Sequence, residues 1–131
     1  MGKEVLVLDD EQVWLDTIAN ILALGGYTSI LCGTLEEAYI EVDKRIQKGN
    51  PPHMFLVDII QRDPQTKEII NFLFGKKLFR YIKTKGIGTE NFYLCTSHVS
   101  EEDSALAKEL GVKILNKNSL LNDLREPFFI L

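Results

Sequence analysis

Five polar side chains stand at or just beyond the ends of short apolar runs in this 131-residue chain. They are Asp9, Asp10, Asp58, Thr96 and Lys117. Carboxylates that share one place repel each other and raise one another's pKa unless a cation joins them. An all-oxygen ligand set with room for water suits Mg²⁺. If these side chains meet, the charges of three acids, one Mg²⁺ and one lysine cancel, and a carboxylate in such a site can accept a phosphoryl group.

The apolar runs themselves have the pattern of strands that are buried on both faces. They cover residues 5–8, 27–32, 54–57, 92–95 and 112–115, and a segment with helical spacing of apolar residues follows each of them. Continuous apolar strands that alternate with helices predict a doubly wound α/β domain with a parallel sheet. The ligand site of such a sheet lies beyond the carboxyl ends of its strands. We therefore expect the five polar side chains to share one crevice.

Capping residues and apolar spacing mark the predicted helices. Thr34 with Glu37 forms a capping pattern before the second helix, and Ser100 with Asp103 does so before the fourth. Apolar spacing places the third helix on a segment that contains Ile70, Phe74, Leu78 and Ile82. In the first helix, Trp14 falls on the apolar stripe and is interpreted as helix packing.

Four motifs in this order, VLVLDDE, FLVDII, LCTS and ILNK, resemble those of the receiver domain of two-component response regulators. The resemblance covers essentially the whole chain. It implies a flavodoxin-like (βα)5 fold with five parallel strands in the order 2-1-3-4-5. It also implies a phosphorylation-dependent signalling switch, in which an aspartate accepts a phosphoryl group from a histidine kinase or a histidine phosphotransfer protein.

The resemblance assigns a role to each matching residue. Asp58 would be the phospho-acceptor, and Asp9, Asp10, Asp58 and the backbone carbonyl of Ile60 would bind Mg²⁺. Thr96 and Lys117 would shift toward the phosphoryl group. The domain would be a phospho-acceptor and not an enzyme. It would act on a downstream protein that the motifs do not identify. Homodimer formation stays open.

The chain also departs from the family's pattern. Ile114 stands where the family usually has an aromatic residue, so rotation of an aromatic ring cannot be the output signal. Asn118 replaces the proline that usually follows the lysine, which predicts a less firmly held lysine loop. We expect a single receiver domain over residues 1–131, with a long insertion over about 60–74 and a short last helix with an apolar tail over 118–131.

Composition bounds the remaining function classes. The chain is 45% hydrophobic and 26% charged, which is ordinary for a soluble globular domain. A formal net charge of −4 argues against direct nucleic-acid binding. No apolar run approaches the ~20 residues that cross a bilayer, and the acidic N-terminal segment is unlike a signal peptide. We therefore expect a cytoplasmic protein without a membrane partner.

Cysteine and histidine usage is sparse. Cys32 and Cys95 lie in separate apolar runs and are interpreted as reduced core thiols. Two histidines, His53 and His98, are too few for an ordinary zinc site. His98, two residues after Thr96, is interpreted as a surface residue near the rim of the predicted site.

Two other functions compete with the switch. The first is a receiver-like protein-interaction module that works without phosphorylation, which Ile114 and Asn118 motivate. The second is a Mg²⁺-dependent phosphatase with an aspartyl nucleophile. The phosphatase is disfavoured because no second acid is placed to protonate a leaving group, and no glycine-rich phosphate loop occurs.

Overall fold

A computed structural model describes residues 3–62, 65–66, 68–71 and 74–120. The strands in chain order are β1 (Glu4–Leu8), β2 (Thr28–Cys32), β3 (Met54–Asp58), β4 (Gln61–Arg62), β5 (Ile69–Asn71), β6 (Phe92–Thr96) and β7 (Lys113–Asn116). The helices are α1 (Gln12–Leu24), α2 (Leu35–Gln47), α3 (Phe74–Thr84) and α4 (Glu101–Leu110), and a 3-10 turn follows β7 at Lys117–Ser119.

Five parallel strands form the main sheet in the order β2-β1-β3-β6-β7. Counted among these five alone, the order is 2-1-3-4-5, so the predicted doubly wound topology is confirmed. The strand order reverses at β1 and β3, the two strands that precede the predicted acidic residues. This places the topological switch point, where doubly wound sheets bind ligands, at the ends of these two strands.

The central strands are buried on both faces, which explains their continuous apolar sequences. In β1, Val5 and Val7 join the core cluster beneath α1, and Leu6 and Leu8 join the cluster beneath α2 and α3. All four side chains have 0% exposure. Each cluster thus covers one face of the sheet, as expected for parallel strands with helices on both sides.

The helix ends follow the capping patterns closely. Thr34 Oγ1 accepts a hydrogen bond from the Glu37 N–H at 3.1 Å, while the Glu37 carboxylate accepts one from the Gly33 N–H. Before α4, Ser100 and Asp103 form a reciprocal capping box. These contacts satisfy N–H groups that a helix start would otherwise leave unpaired.

The prediction for the start of the third helix was wrong. Ile70 lies in β5, which pairs with β4 as a two-stranded antiparallel hairpin, and α3 begins only at Phe74. Ile70 lies four residues before Phe74, and Phe74 lies four residues before Leu78, which is helical spacing. Ile69 and Ile70 are both β-branched, however, and adjacent β-branched residues favour strand structure. The hairpin falls within the segment predicted as an insertion. Of the short last helix and apolar tail predicted over 118–131, the structure describes only residues 118–120, where the 3-10 turn Lys117–Ser119 ends, and the rest lies outside the described residues.

Within the described ranges, no helix combines the length and the apolar character that crossing a membrane requires.

Gly75 lets α3 approach the end of β3. A Cβ atom at this position would lie 2.7 Å from the backbone oxygen of Asp58 and 3.0 Å from a methyl carbon of Leu94. The Gly75 N–H donates to the Ile59 carbonyl at 3.1 Å. Because Gly75 has no side chain, α3 can pack directly against the backbone that carries Asp58.

We predict that Gly75→Ala lowers the free energy of unfolding by about 1–3 kcal/mol, because the added methyl group forces the backbone of β3 away. Chemical denaturation measures the effect. Gly33→Ala is the matched control, since its Cβ would meet the nearest atom at 3.5 Å, an ordinary contact. Equal stability of the two variants would contradict the close packing at Gly75.

Candidate functional site

Three charged side chains are buried in the described part of the chain, and all three lie at one place. Asp9 is 1% exposed, Asp58 is 7% exposed and Lys117 is 5% exposed. Burying a charge is costly unless it is paired. Their common location is therefore the strongest sign of a functional site in this molecule.

The parallel sheet brings these residues together. Asp9 follows β1, and its N–H continues the strand pairing by donating to the Cys32 carbonyl at 3.1 Å. Asp58 is the last residue of β3 and pairs in register with Cys95 of β6. Lys117 directly follows β7. Since all these strands run in one direction, their carboxyl ends share one edge of the sheet.

The Lys117 ammonium group bridges the two buried carboxylates. Its Nζ atom lies 2.6 Å from Asp9 Oδ2 and 3.3 Å from Asp58 Oδ2. Apart from the ammonium contact, the buried Asp9 Oδ2 meets no hydrogen-bond donor among the described residues. The other oxygen of this carboxylate, Oδ1, accepts a hydrogen bond from the Glu11 N–H at 3.0 Å.

Burial dominates the ionisation of the two acids. It raises the pKa of Asp58 to about 7, with Lys117 acting in the opposite direction and the charge of Asp9 adding to the increase. Burial also raises the pKa of Asp9 against the pull of Lys117. For Lys117, burial alone would lower the pKa, but the two carboxylates outweigh it and the net pKa is raised. Lys117 therefore stays charged, and once the neighbouring acids are ionised the site carries more negative than positive charge.

The acidic cluster has the composition of a divalent-cation site. Asp9, Asp10 and Asp58 each place one carboxylate oxygen within 4.8 Å of the other two. All the donors are hard oxygen atoms, as Mg²⁺ prefers. Among the described residues the ammonium group of Lys117 is the one donor at Asp9 Oδ2, and the converging carboxylate oxygens fit a cation at this position. The structure thus brings together the three acids that the sequence singled out.

A cavity of about 260 Å³ opens beside the acids. Its wall includes Asp58, Ile60, Ile69, Thr96, His98 and Lys117. Ile69 belongs to β5, so the hairpin after β3 contributes directly to the wall. The sequence predicted an insertion over this segment, but it did not single out Ile69.

The Thr96 hydroxyl lines this cavity and makes local contacts with the backbone. Thr96 Oγ1 donates to the His98 carbonyl at 3.3 Å and accepts from the His98 N–H at 3.4 Å. Both contacts lie at the long end of the hydrogen-bond range. The hydroxyl is thus held weakly in a turn beside the acids, and His98 lies at the rim, as its position after Thr96 suggested.

Two residues make contacts at or next to Lys117 that the sequence did not indicate. The ring centre of Trp14 lies 5.3 Å from Lys117 Nζ, so the interpretation of Trp14 as helix packing overlooked this contact. The Asn118 side chain donates from Nδ2 to the Ser97 carbonyl at 2.9 Å, and its N–H donates to Asn116 Oδ1 at 2.8 Å. The expected looseness of the lysine loop is opposed by these hydrogen bonds.

Other residues that the sequence raised lie away from this centre. Cys32 and Cys95 are buried free thiols, and burial raises the pKa of both to about 12, which leaves them unreactive. His53 stacks on Tyr27 with ring centres 6.4 Å apart, at the strand-start end of the sheet.

The raised pKa of Asp58 predicts how stability depends on pH. Between pH 4 and pH 7 the folded protein keeps a proton that the unfolded chain, with an ordinary carboxyl pKa of 3.8, has lost. Stability therefore falls as pH rises through this window. In metal-free buffer at pH 8, Asp58→Asn should exceed the wild type in unfolding free energy by about 4 kcal/mol, since one pKa unit corresponds to about 1.4 kcal/mol, and the gap should close toward pH 4.

Denaturant titrations at several pH values measure this difference. Asp16→Asn is the control, because Asp16 is exposed on α1 and should leave the pH profile unchanged. A gap between Asp58→Asn and the wild type that does not vary with pH would contradict the assigned ionisation.

No protein-family model and no curated protein matches the chain. Among solved structures, a CheY-like response regulator receiver domain from Methanospirillum hungatei is 20% identical with a TM-score of 0.65, and the match covers 96% of this chain and 93% of that one. CheY4 from Vibrio cholerae is 18% identical with a TM-score of 0.69, over 95% and 98% of the two chains.

A third solved structure is the receiver domain of the histidine kinase CKI1 from Arabidopsis thaliana, in complex with Mg²⁺ and BeF₃⁻. It is 22% identical with a TM-score of 0.67, and the match covers 95% of this chain and 88% of that one. These matches span nearly the full length of each chain and agree with the observed strand order. The chain therefore has the doubly wound, flavodoxin-like fold of receiver domains.

Proposed function

We propose that this domain is a phosphorylation-dependent signalling switch of a two-component or phosphorelay system, and that Asp58 accepts the phosphoryl group. The observation that carries the proposal is the common location of Asp9, Asp58 and Lys117, the buried charged side chains of the described residues. Such a costly arrangement at the switch point of the sheet is typical of a reacting site and not of a structural ion pair.

The transfer would proceed by attack of a carboxylate oxygen of Asp58 on the phosphorus atom of a phosphohistidine. The new bond joins oxygen to phosphorus, the phosphorus–nitrogen bond breaks, and the imidazole leaves with a proton taken from solvent. Asp58 is the best placed acceptor because it is adjacent to both Lys117 and the open cavity. Its carboxylate must be ionised to react.

Asp9, Asp10, Asp58 and the backbone carbonyl of Ile60 would hold Mg²⁺. Ile60 lies in the cavity wall two residues after Asp58. When bound, Mg²⁺ would neutralise the carboxylates and balance charge on the phosphoryl oxygens during transfer. The three carboxylates keep their convergent positions through β1 and β3, which pair directly with each other.

Lys117 and Thr96 would respond to the new phosphoryl group. The Lys117 ammonium group is 3.3 Å from Asp58 Oδ2 and can pair with phosphoryl oxygens. The Thr96 hydroxyl can exchange its long contacts with the His98 backbone for a shorter, charge-assisted bond. The loop from Ser97 to Ser100 would shift with Thr96. Ile114 in β7 has no aromatic ring that could rotate when Thr96 moves.

A similar solved structure supports the proposed class of phosphoryl donor. The CKI1 receiver belongs to a histidine kinase and was solved with Mg²⁺ and BeF₃⁻. We infer that a histidine kinase or a histidine phosphotransfer protein is the donor here, and that one receiver domain over residues 1–131 acts in the cytoplasm on a downstream protein. The domain would be modified stoichiometrically and would not turn over a substrate.

We predict that acetyl phosphate with Mg²⁺ adds one phosphoryl group to the protein, and that Asp58→Asn abolishes the adduct. Intact-mass spectrometry measures the adduct, and an acyl phosphate is removed by hydroxylamine. Asp16→Asn is the matched control, since it removes one exposed carboxylate from α1 and should label like the wild type. Asp10→Asn should slow labelling strongly, because it removes a proposed Mg²⁺ ligand.

Equal behaviour of the wild type and Asp58→Asn would overturn the proposal. A complete lack of labelling, together with no binding of Mg²⁺ and BeF₃⁻ by calorimetry, would favour a module that binds proteins without phosphorylation. Repeated turnover of a small phosphomonoester would instead point to a phosphatase.

A further inference from the structure

The Lys117 ammonium group lies close to two carboxylates and one aromatic ring. It lies 2.6 Å from Asp9, 3.3 Å from Asp58 and 5.3 Å from the ring centre of Trp14. A cation within about 6 Å of an indole centre is attracted to the ring face, and tryptophan is the strongest of the aromatic partners. At 4% side-chain exposure, this ammonium group is shielded from water, which strengthens the contact.

The position of Trp14 in α1 explains how the ring reaches the lysine. The helix begins at Gln12, just after the acidic pair at the end of β1. Leu15, Ile18 and Leu22 are the side chains that α1 buries against the sheet. Trp14 is half-buried in the first turn, at the same edge of the sheet as the acids. The ring therefore stands at the rim of the site, and not in the core.

The indole ring constrains the lysine without adding charge. Asp9 and Asp58 both attract the ammonium group, so ion pairing alone permits it to shift between them. A neutral ring 5.3 Å from Nζ adds a third attraction, which favours positions of the ammonium group that contact the ring and the carboxylates together. A carboxylate in the place of Trp14 would instead add to the negative charge that the site already has in excess.

We propose that Trp14 is a positioning residue that holds the Lys117 ammonium group in reach of Asp58, and that its emission reports where that group lies. Trp14 is the single tryptophan of the chain, so its fluorescence is not mixed with that of another indole. The effect on phosphoryl transfer rests on the proposed function. The contact itself does not, and the experiment measures the two separately.

The first measurement tests the contact with no phosphoryl donor present. Lys117→Met should change the intensity or wavelength of tryptophan emission, and Lys113→Met, which alters an exposed lysine on β7, should not. Lys117→Arg serves as a second variant that keeps the charge if the methionine variant does not fold, and it should change the emission because a planar guanidinium replaces the ammonium. Unchanged emission in the folded Lys117 variants would overturn the inference.

The second measurement is a double-mutant cycle on stability. Trp14→Leu and Lys117→Met should be non-additive by about three- to tenfold in the unfolding equilibrium constant, because the second substitution removes a contact that the first has already broken. If Lys117→Met does not fold, Lys117→Gln, which also removes the cation, takes its place. The same cycle with Lys113→Met should be additive. Additivity of the Trp14 and Lys117 substitutions would also overturn the inference.

The third measurement tests positioning. With acetyl phosphate and Mg²⁺, Trp14→Leu should label Asp58 about three- to tenfold more slowly than the wild type. Trp14→Phe should recover most of the rate, since it restores an aromatic face. Val13→Ala, a change at an exposed neighbour on the same helix, is the control for nonspecific effects.

The outcomes separate the two claims. Normal labelling in Trp14→Leu would remove the positioning role even if the emission and the cycle confirm the contact. If the wild type is not labelled at all, the proposed function fails and the positioning role fails with it. The emission and the cycle then still decide whether Trp14 holds Lys117.

Discussion

Three carboxylates and one ammonium group share the carboxyl edge of the sheet. Asp9 and Asp58 are nearly inaccessible to water, so their mutual repulsion is only weakly screened, and Lys117 compensates one negative charge. Well-packed apolar side chains at these positions would stabilise the fold more. The site thus holds its charges at a cost in stability, and it gains by taking up positive charge.

The rest of the fold serves to keep this edge in place. β1 and β3 pair directly along their length, so the two acidic strand ends cannot separate without breaking the middle of the sheet. The core clusters on the two faces of the sheet fix these strands from both sides. Gly75 permits α3 to approach the Asp58 backbone, which restrains Asp58 from its carbonyl side.

Much of this arrangement could be predicted from the sequence. The strands were recognisable because burial on both faces demands continuous apolar runs, and a parallel sheet then brings every strand end to one edge. That geometry places Asp9, Asp10, Asp58, Thr96 and Lys117 together without any knowledge of the contacts between them.

The contacts that the sequence did not predict depend on neighbours that are distant along the chain. Ile70 was assigned to a helix because its spacing from Phe74 matches a helical turn. The spacing does not reveal that this segment pairs with β4 in a hairpin. Trp14 has the spacing of a core residue, but its partner is a lysine in the turn that follows the last strand. A pattern within one helix cannot show which cation the rest of the fold brings to its first turn.

The amide of Asn118 ties together two segments that both face the acids. Asn118 follows Lys117, and its Nδ2 atom donates to the carbonyl of Ser97, the residue after Thr96. A single side chain therefore connects the two loops beside the acids. The turn after the Thr96 hydroxyl and the turn that begins with the Lys117 amine are thus joined by one hydrogen bond, so a shift of either turn alone would strain or break it.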